Sequence, residues 1–104
     1  NEQIAKMHTP YHPAVLRIIK KTIEAAHAED IWVGMCGEAA GEELLLPFLL
    51  GAGLDEFSMS AVSILKIKEV LTKWTLAEAE KESEKVLELG TAAEVKEYLN
   101  KLKK

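Results

Sequence analysis

Cys36 is the only cysteine in the chain, and it closes the run Ile31-Trp32-Val33-Gly34-Met35-Cys36. That run is short and apolar, with β-branched and aromatic residues. It predicts a strand buried on both faces of a parallel sheet. Gly37 and Glu38 stop it. One thiol is thus expected at the carboxyl end of a buried strand, where parallel α/β folds bind their ligands. Free cysteine is more often a small buried filler than a reactive group. With no second cysteine to resolve a disulfide, redox chemistry is disfavoured.

Other chemistry-bearing residues have everyday explanations beside the functional ones. Glu38 could orient Cys36 or line a pocket, and it could equally cap the following loop. Ser58 and Ser60 stand at the end of a second predicted strand, Glu56–Met59, so they could line the same pocket. Ser60 also suits the N-cap of the next helix. His27 falls at a helix C-terminus, where positive charge is welcome, and reads as structural. His8 and His12 flank prolines in a loop and lack metal-ligand spacing. Arg17 is the one arginine, in the middle of a predicted helix and far from the strand ends.

The elements that position these residues follow from period and punctuation. Pro13 suits a first helical position. Val15, Ile19, Ile23 and Ala26 then keep helical spacing to about Ala28. Glu29-Asp30 turns into the strand Ile31–Cys36. A short helix is expected over Glu43–Leu50, with Pro47 tolerable only in its first turn. Gly51-Ala52-Gly53 should end it. After Glu56–Met59 a helix is expected over Ala61–Lys73. Thr75-Leu76-Ala77-Glu78 and Thr91-Ala92-Ala93-Glu94 have capping-box form, and Gly90 lies between them. They predict helices near 76–89 and 92–102, with Leu76, Ala79, Ser83 and Val86 on the inner face of the first. Ile4 and Met7 allow a helical turn over residues 1–7.

Helix, strand, helix, strand, helix, then two appended helices, is an α/β order that predicts a parallel sheet. Two strands make a poor one, since a parallel pair wants cover and further neighbours. The sequence therefore reads as part of a larger α/β architecture. It has 104 residues, is 48% hydrophobic and carries a net charge of −4, so one packed domain is the most it can hold. Its cations are dispersed except for Lys101, Lys103 and Lys104, which leaves no nucleic-acid footprint. The apolar stretch Leu44–Gly53 is too short to span a bilayer, and no membrane partner is expected. Without a signal peptide, and with one cysteine, a cytoplasmic setting is expected.

Gly34-Met35-Cys36-Gly37-Glu38, followed by Gly53-Leu54-Asp55-Glu56-Phe57-Ser58-Met59-Ser60, resembles the C-terminal part of the Enzyme I family. These are the phosphoenolpyruvate–protein phosphotransferases of bacterial sugar uptake, within the wider PEP-utilising enzymes. Pro13-Ala14-Val15-Leu16-Arg17 and His27-Ala28-Glu29 fit as well, and the likeness runs to the C-terminus. The pyruvate phosphate dikinases carry a similar Cys-Gly-Glu element, and the dikinase or PEP synthase branch stands as the alternative. The Asp-Glu-Phe-Ser-Met-Ser element favours Enzyme I.

The resemblance implies a (β/α)8, or TIM, barrel that binds phosphoenolpyruvate (PEP). Residues 1–104 would supply its last two strands and surrounding helices, Cys36 ending the seventh and Ser58 to Ser60 the eighth. It implies Cys36 as the catalytic acid that exchanges a proton with C3 of enolpyruvate. An ordinary thiol, with a pKa of about 8.5, is protonated near neutrality and suits that role. Phosphate would pass to a histidine of a separate domain and then to the carrier HPr. The family's Mg2+ ligands and substrate-binding arginines would lie upstream of this segment. PEP carries a phosphate and a carboxylate, which call for arginine forks or a metal, so the segment alone is expected to be inactive. The family also implies a dimer, and the resemblance leaves a dimerisation module open as a second class of function. The unpaired strand edges add the expectation of a homo-oligomer.

Overall fold

The computed structural model describes residues 10–36, 43–58 and 61–104. The first helix, α1 (Pro13–Ala28), opens on His12, whose Nδ1 accepts from the Ala14 amide at 3.1 Å. Pro13 loses no hydrogen bond there, because first-turn amides have no helical partner. Leu16 and Ile23 form the buried stripe of α1, with Ile19 half-buried beside them. The helix ends in a Schellman motif. Asp30 donates its amide to His27 O at 3.1 Å, and Ile31 donates to Ala26 O at 2.9 Å. Asp30 takes the left-handed conformation this requires, at φ 58°, which aspartate tolerates better than most side chains.

Two short strands, β1 (Gly34–Cys36) and β2 (Glu56–Ser58), pair in parallel with Gly34 opposite Glu56, Met35 opposite Phe57 and Cys36 opposite Ser58. β1 is shorter than the apolar run predicts, for a definite reason. The Ile31 amide is spent on the helix cap, and the Val33 amide donates to Asp55 Oδ2 at 2.8 Å. Val33 O accepts from the Asp55 and Glu56 amides at 3.0 and 3.2 Å. Asp55 thus staples the amino ends of the two strands. It also accepts from His27, whose Nε2 lies 2.7 Å from the same oxygen. An ionised carboxylate can only accept, so Nε2 carries the proton.

Burial on both faces of β1 does not occur. Val33, Met35 and Phe57 pack against the helices. Trp32, Gly34, Glu56 and Ser58 are exposed. Among the described residues nothing covers that second face, and Ile31 is 57% exposed. The result is a mostly helical α/β fold with a two-stranded parallel sheet covered on one side.

A 3-10 turn at Glu43–Leu45 leads into α2 (Leu46–Ala52), with Pro47 in its first turn as its chemistry demands. The helix runs through Gly51 and Ala52, beyond the expected stop, and is capped by Gly53 at φ 98°. Helix α3 (Ala61–Thr72) follows, then α4 (Leu76–Leu87) and α5 (Ala92–Leu102). Both capping boxes form. Thr75 Oγ1 accepts from the Glu78 amide, and Thr91 Oγ1 from the Glu94 amide, each at 3.1 Å. Gly90 lies beyond the end of α4, whose last carbonyls are held by Arg17. Its guanidinium donates to Leu87 O at 3.3 Å and to Leu89 O at 3.2 Å.

The last two helices are not appended. α2 lies so close on α4 that a Cβ added to Gly51 would stand 2.1 Å from Ala79 O. Ala79, Ser83 and Val86 are buried along α4, and Val95 and Leu99 along α5. Leu76, expected inside, is 55% exposed instead. It sits one residue past the cap, where α4 has not yet reached the crossing. Leu16, Ile23, Phe48 and Leu49 meet Val86 and Leu99 in one core.

Two predictions follow from this packing. Gly51→Ala must separate α2 from α4, because the obstructing atoms are backbone. The expected loss is at or above the upper end of the roughly 1–3 kcal/mol typical of overpacking, read from urea unfolding. For Asp55, the His27 hydrogen bond first, and then the Val33 amide, hold the carboxyl below its ordinary 3.8. A lowered folded pKa gives stability that is complete above the unfolded value and lost as pH falls through the folded one. Asp55→Asn should therefore be less stable than the natural chain above about pH 4, and the gap should close on acidification. Urea midpoints from about pH 6 to about pH 2.5 check this; a pH-independent gap would assign the loss to something other than the carboxylate's charge.

Candidate functional site

The sheet has two chemically different ends. The amino end carries the His27–Asp55–Val33 staple, where a titratable pair is used to fix strand register. His27 is therefore structural, as its place at the helix C-terminus predicts. The carboxyl end carries Cys36 and Ser58, brought level by the parallel pairing. Each strand is followed by chain that leads to a helix, α2 after β1 and α3 after β2. The register thus gathers two of the sequence-predicted candidates at one rim. Glu38, Ser60 and Met59 lie outside the described residues, as do His8 and residues 1–7.

Remaining polar groups are engaged elsewhere. Arg17 is consumed by the carbonyls that end α4, so the one arginine of the chain is a helix cap. His12 is the N-cap of α1. Burial, and then the Glu82 carboxylate that accepts its hydroxyl, push the Tyr98 phenol up to about 12. It is no proton donor near neutrality. Lys104 is not part of a free basic tail. Its ammonium donates to Lys73 O at 2.9 Å, pairs with Glu78 and lies 4.3 Å from the Trp74 ring centre. Among the described residues no group of three His, Cys, Asp or Glu side chains could hold a metal ion. No helix among them is long and apolar enough to cross a membrane.

The uncovered sheet face adds two residues that sequence reasoning did not single out. Trp32 is 66% exposed and lays its ring over Gly34. Glu56 sits beside it on the neighbouring strand. The signal was the two-residue period of a strand. Positions 32, 34 and 36 form one row, and positions 56 and 58 form the adjacent row. Trp32 and Glu56 therefore occupy the same face as the Cys36 and Ser58 positions, Glu56 one two-residue step and Trp32 two steps nearer the amino end.

Comparison with known proteins places this geometry. The model of the PEP-binding domain of PEP-utilising enzymes matches residues 1–76. The chain is 54% identical over 95 residues to a phosphoenolpyruvate–protein phosphotransferase of Bacillus subtilis, covering 91% of this chain and 17% of that protein. A relative of the same description from Geobacillus stearothermophilus is 52% identical over 101 residues, covering 97% of this chain and 18% of that protein. One from Staphylococcus carnosus is 47% identical over 95 residues, covering 91% and 17%. The chain thus spans less than a fifth of the length of the relatives it matches.

Proposed function

Because the chain belongs to the PEP-utilising enzymes, through their PEP-binding domain, we propose that it is the C-terminal part of a phosphoenolpyruvate–protein phosphotransferase. In that protein Cys36 is the catalytic acid. The observation that carries this reading is the register that sets Cys36 opposite Ser58 at the carboxyl ends of two parallel strands. Parallel α/β folds bind ligands at that end. The phosphotransferase description of the three relatives above supports this branch over the dikinases. A parallel pair with helices on one face and a bare second face fits a sector of a (β/α)8 barrel, the bare face being the barrel interior.

The proposed step balances simply. The P–O bond of PEP breaks, the phosphoryl group goes to a protein histidine outside this chain, and the electron pair stays on the enolate. The Cys36 S–H then gives its proton to C3, forming the methyl group of pyruvate and leaving a thiolate that solvent reprotonates. Phosphate would pass onward to HPr. Among the described residues no cluster fits a metal ion, and the family resemblance implies that Mg2+ would take its ligands upstream of this segment. The arginine forks that hold PEP's two anionic groups would come from there too, since Arg17 is occupied.

In a full-length phosphotransferase carrying this segment, Cys36→Ala should lower turnover about 10²–10⁴-fold, the usual contribution of a general acid. PEP affinity should stay within about twofold, because the proton moves only along the reaction path. Deuterium incorporation into pyruvate from heavy water should fall in parallel. Natural turnover in that variant would remove Cys36 from the role.

The isolated 104-residue chain should self-associate. Among the described residues β1 and β2 each have one open edge, and Ile18, Ile31, Trp32 and Leu65 are exposed, Leu65 at 78%. Unpaired strand edges beside apolar side chains are templates for further pairing. Sedimentation equilibrium at roughly tens of micromolar, far above a micromolar dissociation constant, should give a dimer or larger species; a monomer there would show that the chain tolerates its open face.

A further inference from the structure

Glu56 is a carboxylate in an unusual place. It stands on the second face of a parallel sheet, a surface that such sheets keep covered and line with branched apolar residues. Among the described residues its side chain makes no hydrogen bond or ion pair. Covered and unpaired, it would be strongly unfavourable. Beside it, the absence of a side chain at Gly34 lets two others approach. A Cβ at Gly34 would lie 3.3 Å from the Trp32 ring and 3.4 and 3.7 Å from Cβ and Cδ of Glu56. The Trp32 ring and the Glu56 carboxylate thereby flank one backbone position, one step below the Cys36–Ser58 level.

We propose that Trp32 and Glu56 form a seat for a guanidinium, contributed by an arginine of the longer protein outside this chain, and that the seat aims this arginine at the PEP anion. A flat cation suits the seat better than an ammonium. Guanidinium stacks on an indole while its fork pairs both carboxylate oxygens. The chain's own arginine is excluded, being held on the Leu87 and Leu89 carbonyls. The charge balance is also correct, because PEP needs cations at the rim and the carboxylate beneath neutralises the far side of one of them. Trp32 and Glu56 are then positioning residues that never touch substrate. This inference rests on the function proposed above.

The test uses a full-length phosphotransferase carrying the segment, with kcat, KM for PEP and melting temperature measured together. Glu56→Gln should raise KM about tenfold or more while kcat changes less than about threefold, the split expected when a ground-state anion clamp is loosened. Trp32→Ala should do the same, and Trp32→Phe, which keeps an aromatic face, should restore most of the loss. The double variant Trp32→Ala/Glu56→Gln should cost less than the product of the two single effects, because both act through one arginine. Gly34→Ala, which pushes the pair apart without removing either, should also raise KM and decides the matter if Glu56→Gln fails to fold. Folded Glu56→Gln or Gly34→Ala protein with natural KM, alongside a Cys36→Ala variant that has lost turnover, would overturn the seat and leave the proposed function standing. A Cys36→Ala variant with natural turnover would overturn both.

Discussion

The contact on which the structure depends is the crossing of α2 on α4 at Gly51 and Ala79. The helices approach until the Gly51 backbone meets the Ala79 carbonyl. Small residues line the crossing, with Ala79 and Ser83 on α4 and Gly51 and Ala52 on α2. This close approach lets a seven-residue helix, too short to be stable alone, bury Leu46, Phe48 and Leu49 completely. Phe48 and Leu49 belong to the core against which α1 and the covered face of the sheet pack. Arg17 ties α1 to the end of α4.

That layout divides the labour between the ends and faces of the sheet. Helices occupy one face, and the Asp55 staple fixes register at the amino end. Register in turn decides which side chains share a level. A one-residue slip would turn every side chain to the other face, and would trade Cys36 and Ser58 for Met35 and Phe57. The His27–Asp55 hydrogen bond at the amino end thus protects the level placement of Cys36 and Ser58 at the carboxyl end.

The bare face carries residues that packing within the described chain does not select. Val33, Met35 and Phe57 satisfy the helices and leave Trp32, Gly34, Glu56 and Ser58 with no packing task among the described residues. A core position constrains its residue by volume; an uncovered position does so only through whatever later sits against it. Aromatic, glycine and carboxylate side by side there are hard to explain by packing within this chain.

Local rules determined much of this protein directly from sequence. The bounds of α1 followed from Pro13 and the Glu29-Asp30 turn, and both capping boxes from Thr75 with Glu78 and Thr91 with Glu94. The position of Cys36 at a strand's carboxyl end followed from the apolar run and Gly37, and the family from the motifs around it. Each of these depends on residues within a few positions of one another, and so is written locally. Other features came only with the tertiary structure. The strand shortened to Gly34–Cys36 because the Val33 amide is claimed by Asp55, 22 residues away. Gly51, which looks like a helix stop, proved to be a contact surface, because its meaning depends on Ala79. The two C-terminal helices became part of the core rather than an appendage, and Arg17 became a cap for a helix 70 residues distant. Trp32 and Glu56 acquired a shared environment only through pairing. A side chain's role is fixed by what lies across from it, and long-range partners leave no local trace in a single sequence.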